Sequence, residues 1–328
     1  MPRHIQLDQA GLRRLIRGAV LAADDRAIFE ITGPGAVTCL QGLWTNDLVA
    51  PGDDTITYGA LLTPKGMIVT DGWLLRERER LLLVAPASAR EAVATIFTRT
   101  LPPRLAQARD VGEEQRAAWL LGVDSGARWR ASGLWPLPGE AGRIVRRELD
   151  GAPVALANAP HPAPFVALLV GPAPALDAAR TRLAQAIVHA GGPDDVEAAR
   201  ILAGWPALGA EIDDRTLPQE VRFDELGGVS YTKGCYTGQE TVARLHFRGH
   251  ANRELRGLVW QHSAPLDGAT VMQGHRELGR VRSVLTLPAR RLGLAVIRRD
   301  VEPGAVVSAG GREAEVSAIP FDPSRVGG

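Results

Sequence analysis

Cysteine is nearly absent from this 328-residue chain, which contains only Cys39 and Cys235. Two cysteines provide neither a disulfide framework nor the paired-cysteine pattern of a zinc site. His246 and His250 lie four residues apart, a spacing that places both on one face of a helix. The intervening Phe247-Arg248-Gly249 argues against a helix there, and no clear third ligand is present. We therefore expect no metal, and each cysteine has to be interpreted alone.

A charge excess of either sign is also missing, because 38 Lys and Arg are balanced by 37 Asp and Glu. Such a chain has no overall field that favours nucleic acid or a membrane surface. The first residues lack the apolar run of a signal peptide, and no window approaches the length of a membrane span. We expect a cytoplasmic protein with no membrane partner and no direct nucleic-acid partner. One local exception is the range 241–300, which has eleven arginines against four acids and suits an anion.

Signatures of ATP-driven enzymes and of α/β-hydrolases are missing as well. Neither GxxxxGK[ST] nor GxSxG occurs in the chain. Gly33-Pro34-Gly35 follows an apolar strand and resembles part of a dinucleotide fingerprint, but Thr38 stands where the third glycine belongs. A proline at this point is typical of the first turn of a helix, so we interpret the segment as a strand-to-helix turn.

Three segments share one pattern, an apolar strand followed by a proline-containing turn and an amphipathic helix. They are AIFEITGPGAVTCLQGLW, LLLVAPASAREAVATIF and VALLVGPAPALDAARTRLAQAI. Repeated units of this kind predict an α+β fold built from related subdomains. After about residue 250 the chain consists of six short strand candidates separated by Gly, Pro and Asp, which predict a small β-barrel. We therefore predict two α+β subdomains in residues 1–249 and a barrel domain in residues 250–328.

The most distinctive run of the sequence is YTKGCYTGQE, residues 231–240. Gly234 and Gly238 flank a Cys-Tyr-Thr core and allow tight backbone geometry. Lys233 stands two residues before Cys235 and would stabilise its thiolate if the two side chains converge. This arrangement favours a reactive cysteine.

A purely structural interpretation of the same run stays open. Thr237 is able to cap a helix with Glu240 as its capping-box partner, and Glu240 with Arg244 has the i,i+4 spacing of an ordinary helical pair. A single cysteine is also more often a small buried apolar residue than a reagent.

A second informative run extends from Arg200 to Glu220 and ends in an irregular acidic loop. A buried carboxylate in such a loop accepts two parallel N–H bonds from a planar, amidine-like edge. The alternative is that Glu220 is a solvated acid on the surface.

These runs carry a family resemblance. KGCYTGQE followed by AR resembles the signature of the YgfZ folate-binding family, which includes mitochondrial iron–sulfur assembly factors. RILAGWPALGAEIDDRTLPQE, LQGLWTNDL, YGALLTPKGMIVTDGWLL and LGLAVIRRDVEPG resemble further landmarks of that family and of the glycine-cleavage T-protein superfamily. The resemblance spans nearly the whole chain.

The resemblance implies T-protein-like folate-binding subdomains around a central channel, followed by a C-terminal β-barrel. It implies tetrahydrofolate, or a related reduced folate, as the cofactor. Carried over by position, it places Glu220 on the pterin edge and Arg253 and Arg256 near the anionic end, where arginine binds carboxylates well. The signature residues are Cys235 and Lys233, with Gly234, Tyr236, Gly238, Gln239, Glu240 and Arg244.

One departure from the T-protein pattern bears on function. T-protein enzymes have an acidic pair that supplies the catalytic aspartate, whereas this chain has Thr70 and Asp71. The resemblance thus favours an accessory factor for iron–sulfur enzymes, including tRNA-modifying ones, in which Cys235 and Lys233 act and iron–sulfur clients are partners. The alternatives are a one-carbon transferase that uses Asp71 for acid–base chemistry, and an interaction module that binds no folate.

Overall fold

The computed structural model describes residues 3–78, 80–261 and 268–322 and confirms the predicted α+β class. Its α-helices are α1 Gln9–Arg17, α2 Ala36–Gln41, α3 Arg90–Thr100, α4 Ser125–Ala131, α5 Ala173–Gln185, α6 Pro193–Leu202 and α7 Gln239–Arg248. Its strands are β1 Arg3–Gln6, β2 Val20–Ala23, β3 Arg26–Thr32, β4 Thr55–Leu62, β5 Ile68–Glu77, β6 Arg80–Pro86, β7 Gln107–Asp110, β8 Arg116–Leu121, β9 Ile144–Leu149, β10 Ala152–Asn158, β11 Ala167–Gly171, β12 His189–Gly191, β13 Arg253–Trp260, β14 Thr270–Gln273, β15 Arg276–Thr286, β16 Arg291–Arg298, β17 Val306–Ala309 and β18 Arg312–Ser317. None of the helices in these ranges is long and apolar enough to cross a membrane.

The first sheet has the strand order β4-β5-β6-β3-β7, with α2 and α3 packed on one of its faces. Alternation along β6 explains this arrangement, because successive side chains of a strand point to opposite faces. Leu81 and Leu83 pack with the helix residues Leu40 and Phe97, whereas Leu82 faces the other side. Both faces of this sheet are therefore covered.

The second sheet has the order β12-β2-β8-β11-β10-β9, with α4 and α5 as its helices. It repeats the connectivity of the first sheet except that β2 is inserted between β8 and β12. The three predicted strand–turn–helix segments are β3–α2, β6–α3 and β11–α5, and each is confirmed. A fourth unit, β8–α4, lacks the proline turn and was not predicted; its turn uses Gly122 at φ +101° instead. The two halves are thus structural repeats of one unit.

A shared core lies between the two sheets and also contains residues of α6 and of the barrel. Tyr58 and Trp73 from the first sheet, Trp119 from the second and Ile201 from α6 are buried in it. The faces of the sheets that carry no helices of their own are therefore buried against each other.

Strands β13 to β18 close into the predicted six-stranded antiparallel barrel, with β13 paired to both β16 and β18. β1 joins this barrel as an additional strand, because Arg3–Gln6 pairs in parallel with Ser283–Thr286 of β15. This participation of the first described residues was not predicted. It ties the chain's beginning to the barrel, while Arg253 starts the barrel proper close to the predicted division at residue 249.

Candidate functional site

A cavity of about 320 Å³ lies between the two sheets, next to α6 and the loop that follows it. Its volume falls within the range typical of small-molecule sites. Asp71 and Trp73 enter it from β5, and Trp119 enters it from β8. The lining also includes Phe165, with Glu197 and Arg200 from α6 and Trp205 from the loop after α6. The site is therefore assembled at the meeting of both repeats and α6.

Aromatic rings form much of the wall of this cavity. The ring centroids of Trp73 and Trp205 are 5.5 Å apart with an interplanar angle of 24°, and Phe165 meets Trp73 edge-on at 4.7 Å. Trp119 packs on Phe165 at 4.9 Å. Such rings bind the faces of flat, unsaturated ligands, because aromatic systems prefer stacked or edge-to-face contacts.

Asp71 is the acid of the cavity. The hydroxyl of Tyr58 donates to its Oδ2 at 3.0 Å, whereas its buried Oδ1 accepts no hydrogen bond within the described residues. Burial raises the pKa of Asp71, against the lowering effects of the Tyr58 hydrogen bond and of Arg26. A buried oxygen without a donor costs free energy that a ligand N–H group recovers.

Arg200 fixes the wall formed by α6. Its guanidinium pairs with Glu197 in the same helix and with Glu211, whose Oε2 is 2.9 Å from Nη1. Arg200 also donates to Oγ of Ser283 at 2.7 Å, and Ser283 in turn donates to Glu211. Since Ser283 belongs to β15, this buried network ties the barrel to the cavity wall. The barrel therefore helps to position the site.

Glu220 is not among the residues that line the cavity and lies in the short 3-10 helix Pro218–Val221. Its Oε2 accepts from the backbone N–H of Leu217 at 3.0 Å. Burial raises the pKa of this half-buried carboxyl, whereas the Leu217 hydrogen bond and the charge of Arg253 oppose that rise. The structure thus brings Glu220 and Arg253 near each other but does not bring them to Asp71.

Arg256, the other arginine predicted near the anionic end, is occupied by acids of its own surroundings. It donates to Glu254 at 2.7 Å and lies 3.9 Å from Glu302. These contacts give Arg256 a structural role on the barrel, and its proposed folate contact stays a prediction.

Lys233 is buried and anchors the signature run to the loop after α2. Its Nζ donates to the carbonyl oxygens of Gln41, Trp44 and Asn46 at 2.6, 2.6 and 2.9 Å. Burial lowers the pKa of Lys233 to about 8, an effect that the carboxylate of Asp47 opposes. All three N–H donors of the ammonium group are engaged by these carbonyls, so none is left for a direct bond to a thiolate.

Cys235 itself is exposed, whereas the neighbouring Tyr236 is buried beneath the run. The ring of Tyr236 lies 5.0 Å from the Lys233 ammonium, and its hydroxyl has no hydrogen-bond partner within the described residues. Burial raises the pKa of Tyr236 to about 12. The arrangement holds Cys235 at the surface on a firmly packed support, and its reactivity stays a prediction.

The helix after the signature begins at Gln239, with Gly238 as its N-cap at φ +82°. The proposed Thr237–Glu240 capping box is wrong, because no side-chain bond caps this end. Instead Oε1 of Gln239 accepts from the backbone N–H of Tyr236 at 3.2 Å. Glu240 and Arg244 are exposed.

The helix also extends further than the sequence predicts. α7 continues through Phe247 to Arg248, so the expected break does not occur there. Nδ1 of His246 lies 3.3 Å from Oδ2 of Asp224. No group of three or more possible metal ligands occurs within residues 3–78, 80–261 and 268–322.

Of the predicted site residues, only Asp71 lines the cavity, together with Arg200 and Trp205 from the first part of the run 200–220. The prediction missed the aromatic walls because Trp73, Trp119, Phe165 and Trp205 are single residues on separate segments. The one available signal was the run AGWP after α6, where a tryptophan precedes a helix-ending proline.

Comparisons with known proteins identify related chains. The family described as the GCVT N-terminal domain matches residues 19–127. The chain is 27% identical over 303 residues to the tRNA-modifying protein YgfZ of Escherichia fergusonii, covering 88% of this chain and 87% of that protein. It is 28% identical over 254 residues to the protein of the same name from Pectobacterium carotovorum, covering 74% and 69%.

A solved structure shows the same fold. The glycine cleavage system aminomethyltransferase T from Bartonella henselae superposes with a TM-score of 0.80 over 96% of this chain and 89% of that one. Its sequence identity to this chain is 19%.

Proposed function

We propose that the chain, which is similar to YgfZ proteins over most of its length, is a tetrahydrofolate-binding accessory factor for the assembly or repair of iron–sulfur enzymes, including tRNA-modifying ones. The relatives carry the name tRNA-modifying protein, and we extend that role to this chain. The proposal includes a cytoplasmic location and iron–sulfur proteins as clients.

The observation that supports folate binding is Oδ1 of Asp71, which lies in an aromatic cavity and accepts no hydrogen bond from any described residue. A pterin is flat and carries N–H donors along one edge, so it supplies what this oxygen lacks. The aromatic walls that include Trp73 and Trp119 would pack against the ring system, and Asp71 would accept from its edge. The chemistry of the residues therefore fits the head group of a reduced folate.

Bound tetrahydrofolate supplies ring nitrogens that carry one-carbon units. The chain's own part is to orient the pterin, to exclude water with its aromatic walls and to hold a proton on Asp71. Burial favours the protonated form of Asp71, which suits a group that exchanges protons with a ligand nitrogen. This same feature supports the alternative function, a folate-dependent one-carbon transferase of the aminomethyltransferase type.

Cys235 supports the accessory role over the transferase. Its thiol is exposed on a run that Lys233 fixes to the loop after α2, whereas Asp71 is enclosed between the sheets. A thiol at the surface is available to a client protein. An enzyme acting only within the cavity has no evident use for it.

Thermal unfolding with reduced folates tests the proposal. A ligand present at a hundredfold excess over its dissociation constant stabilises the fold by about 2.7 kcal/mol. Tetrahydrofolate should therefore raise the melting temperature. An unchanged melting temperature with every reduced folate at millimolar concentration would reject the folate site.

Two variants locate the pterin. If Asp71 accepts its N–H groups, Asp71→Asn should weaken tetrahydrofolate binding by about 1.5–3 kcal/mol, roughly ten- to a hundredfold. Glu220→Gln should then have little effect, and the exposed Glu225→Gln serves as a control. Weaker binding in Glu220→Gln with unchanged binding in Asp71→Asn would instead indicate that the pterin binds at Glu220 and Arg253.

A further inference from the structure

The second half of α7 presents an exposed face that the proposed folate site does not use. Arg244, Phe247 and Arg248 are all exposed, and the Phe247 side chain is 67% accessible to solvent. A partner that covered this ring would remove apolar surface from water, which favours binding.

Phe247 belongs to a fixed cluster of rings. Tyr231 and His246 stack at 3.7 Å with an interplanar angle of 17°, and Phe247 stands edge-on to both, at 5.8 and 4.8 Å. Asp224 holds the cluster, since the Tyr231 hydroxyl and Nδ1 of His246 both contact its carboxylate. The ring of Phe247 is therefore supported from below and open above.

Positive charge surrounds this ring. Neither Arg244 nor Arg248 has a carboxylate at ion-pairing distance within the described ranges. Glu240, one turn before Arg244, does not pair with it either. The exposed His250 and Arg253 continue the basic run towards the barrel. The nearest acid of the cluster, Asp224, is already engaged by Tyr231 and His246.

We propose that this α7 face, formed by Arg244, Phe247 and Arg248, binds single-stranded RNA. Arg244 and Arg248 lie one helical turn apart on the same side and contact phosphates, while a base stacks on Phe247. Aromatic stacking combined with arginine contacts to the backbone is the general mode of binding to single strands. The proposal goes beyond the proposed function and does not depend on the cavity or on folate.

Charge complementarity favours an RNA strand over a protein partner. A stable protein interface needs a desolvated apolar centre within about 1,600 Å² of buried surface. The α7 face offers one open ring beside two arginines that form no ion pair within the described residues, an arrangement that suits the bases and phosphates of a single strand better. The proposal departs from the expectation drawn from overall charge, because the positive charge involved is local to one helix and its surroundings.

Fluorescence anisotropy with the full chain and a labelled, unstructured oligoribonucleotide tests the inference. A length of about 12 nucleotides lies within the site sizes of single-strand binders. Arg244→Ala/Arg248→Ala should weaken binding and reduce the slope of log Kd against log salt by about 1.4, since each phosphate contact contributes about 0.7 on a single strand. Phe247→Ala should weaken binding roughly tenfold, the effect of losing one stacked base.

A matched control uses the exposed pair Arg13 and Arg17, which has the same spacing near the end of α1. Arg13→Ala/Arg17→Ala should leave RNA affinity nearly unchanged. Equal losses in both double variants, or full affinity in Phe247→Ala, would overturn the proposal. The proposal would also be overturned if the chain bound an acidic peptide such as pentaglutamate through Arg244 and Arg248 but did not bind RNA. Tetrahydrofolate stabilisation of the same variants reports separately on the proposed function.

Discussion

Gly66 and Gly238 are in close backbone contact, and neither position has room for a side chain. A Cβ on Gly238 would lie 3.0 Å from Cα of Gly66 and 2.6 Å from the carbonyl oxygen of Thr63, and Gly238 has φ +82°. The turn between β4 and β5 thus supports the residue at which α7 begins. Since β5 also carries Asp71, the signature run is packed on the same hairpin that supplies the acid of the cavity.

Gly238→Ala should destabilise the protein by about 2–3 kcal/mol, because alanine at positive φ is strained and its Cβ meets backbone. Gly234 provides the matched control within the same run. A Cβ there meets nothing within 4 Å, so Gly234→Ala should leave stability nearly unchanged. Urea unfolding measures both, and equal stability of the two variants would contradict the packing described.

The fold was largely predictable from local patterns, whereas the site was not. Strand–turn–helix units and short barrel strands leave their periodicity in consecutive residues, which is why β3–α2, β6–α3 and β11–α5 were recognised. The pairing of β1 with β15 joins residues about 280 positions apart and leaves no such pattern. Its four-residue strand is also too short to show alternation.

The role of Lys233 shows why site chemistry is harder to predict. The sequence places it two residues from Cys235, but its three hydrogen-bond partners are backbone carbonyls of residues 41, 44 and 46. Every residue has a backbone carbonyl, so no sequence motif shows which carbonyls will accept a hydrogen bond from a given side chain. The resemblance identified the run itself, and the structure shows what holds it.

Lys233→Met should lower the free energy of unfolding by about 2–4 kcal/mol, because several buried carbonyl groups lose a charged donor together. The pH dependence has a defined sign. Burial lowers the pKa of Lys233 to about 8, so between pH 8 and about 10.4 the unfolded chain binds more protons than the native one. Wild-type stability should therefore rise with pH in that window relative to Lys233→Met.

The chain's only other lysine, Lys65, is exposed and provides the control. Lys65→Met should have no measurable effect in urea unfolding at pH 7 and pH 9.5. A Lys233→Met protein as stable as the wild type would show that the hydrogen bonds from Lys233 to the three carbonyl groups add no stability.

Asp71→Asn should stabilise the protein at neutral pH while weakening folate binding. Burial raises the pKa of Asp71, so the native state holds its proton to higher pH than the unfolded chain does. The stability from this group is complete below the unfolded pKa and is lost as pH rises through the folded one. Asparagine keeps an acceptor for the Tyr58 hydroxyl and removes the buried charge, a gain of about 1–3 kcal/mol.

Urea unfolding at pH 4 and pH 8 measures the effect of Asp71→Asn. The advantage of the variant should be small at pH 4 and larger at pH 8, whereas the exposed Asp214→Asn should show no such difference. A variant less stable than wild type at pH 8 would mean that the carboxylate is well solvated in the native protein.

Cys235 and Asp71 together separate the accessory role from one-carbon transfer. Cys235 is exposed, and Cys39 lies half-buried against the core beneath the first sheet, so iodoacetamide at neutral pH should label Cys235 much faster. In a strain that lacks the endogenous protein, Cys235→Ala should fail to restore the activity of iron–sulfur enzymes while still binding tetrahydrofolate. Cys39→Ala is the matched control and should restore it. An active Cys235→Ala would contradict the accessory role, and tetrahydrofolate-dependent turnover of a methylamine donor that is lost in Asp71→Asn at saturating folate would instead establish one-carbon transfer.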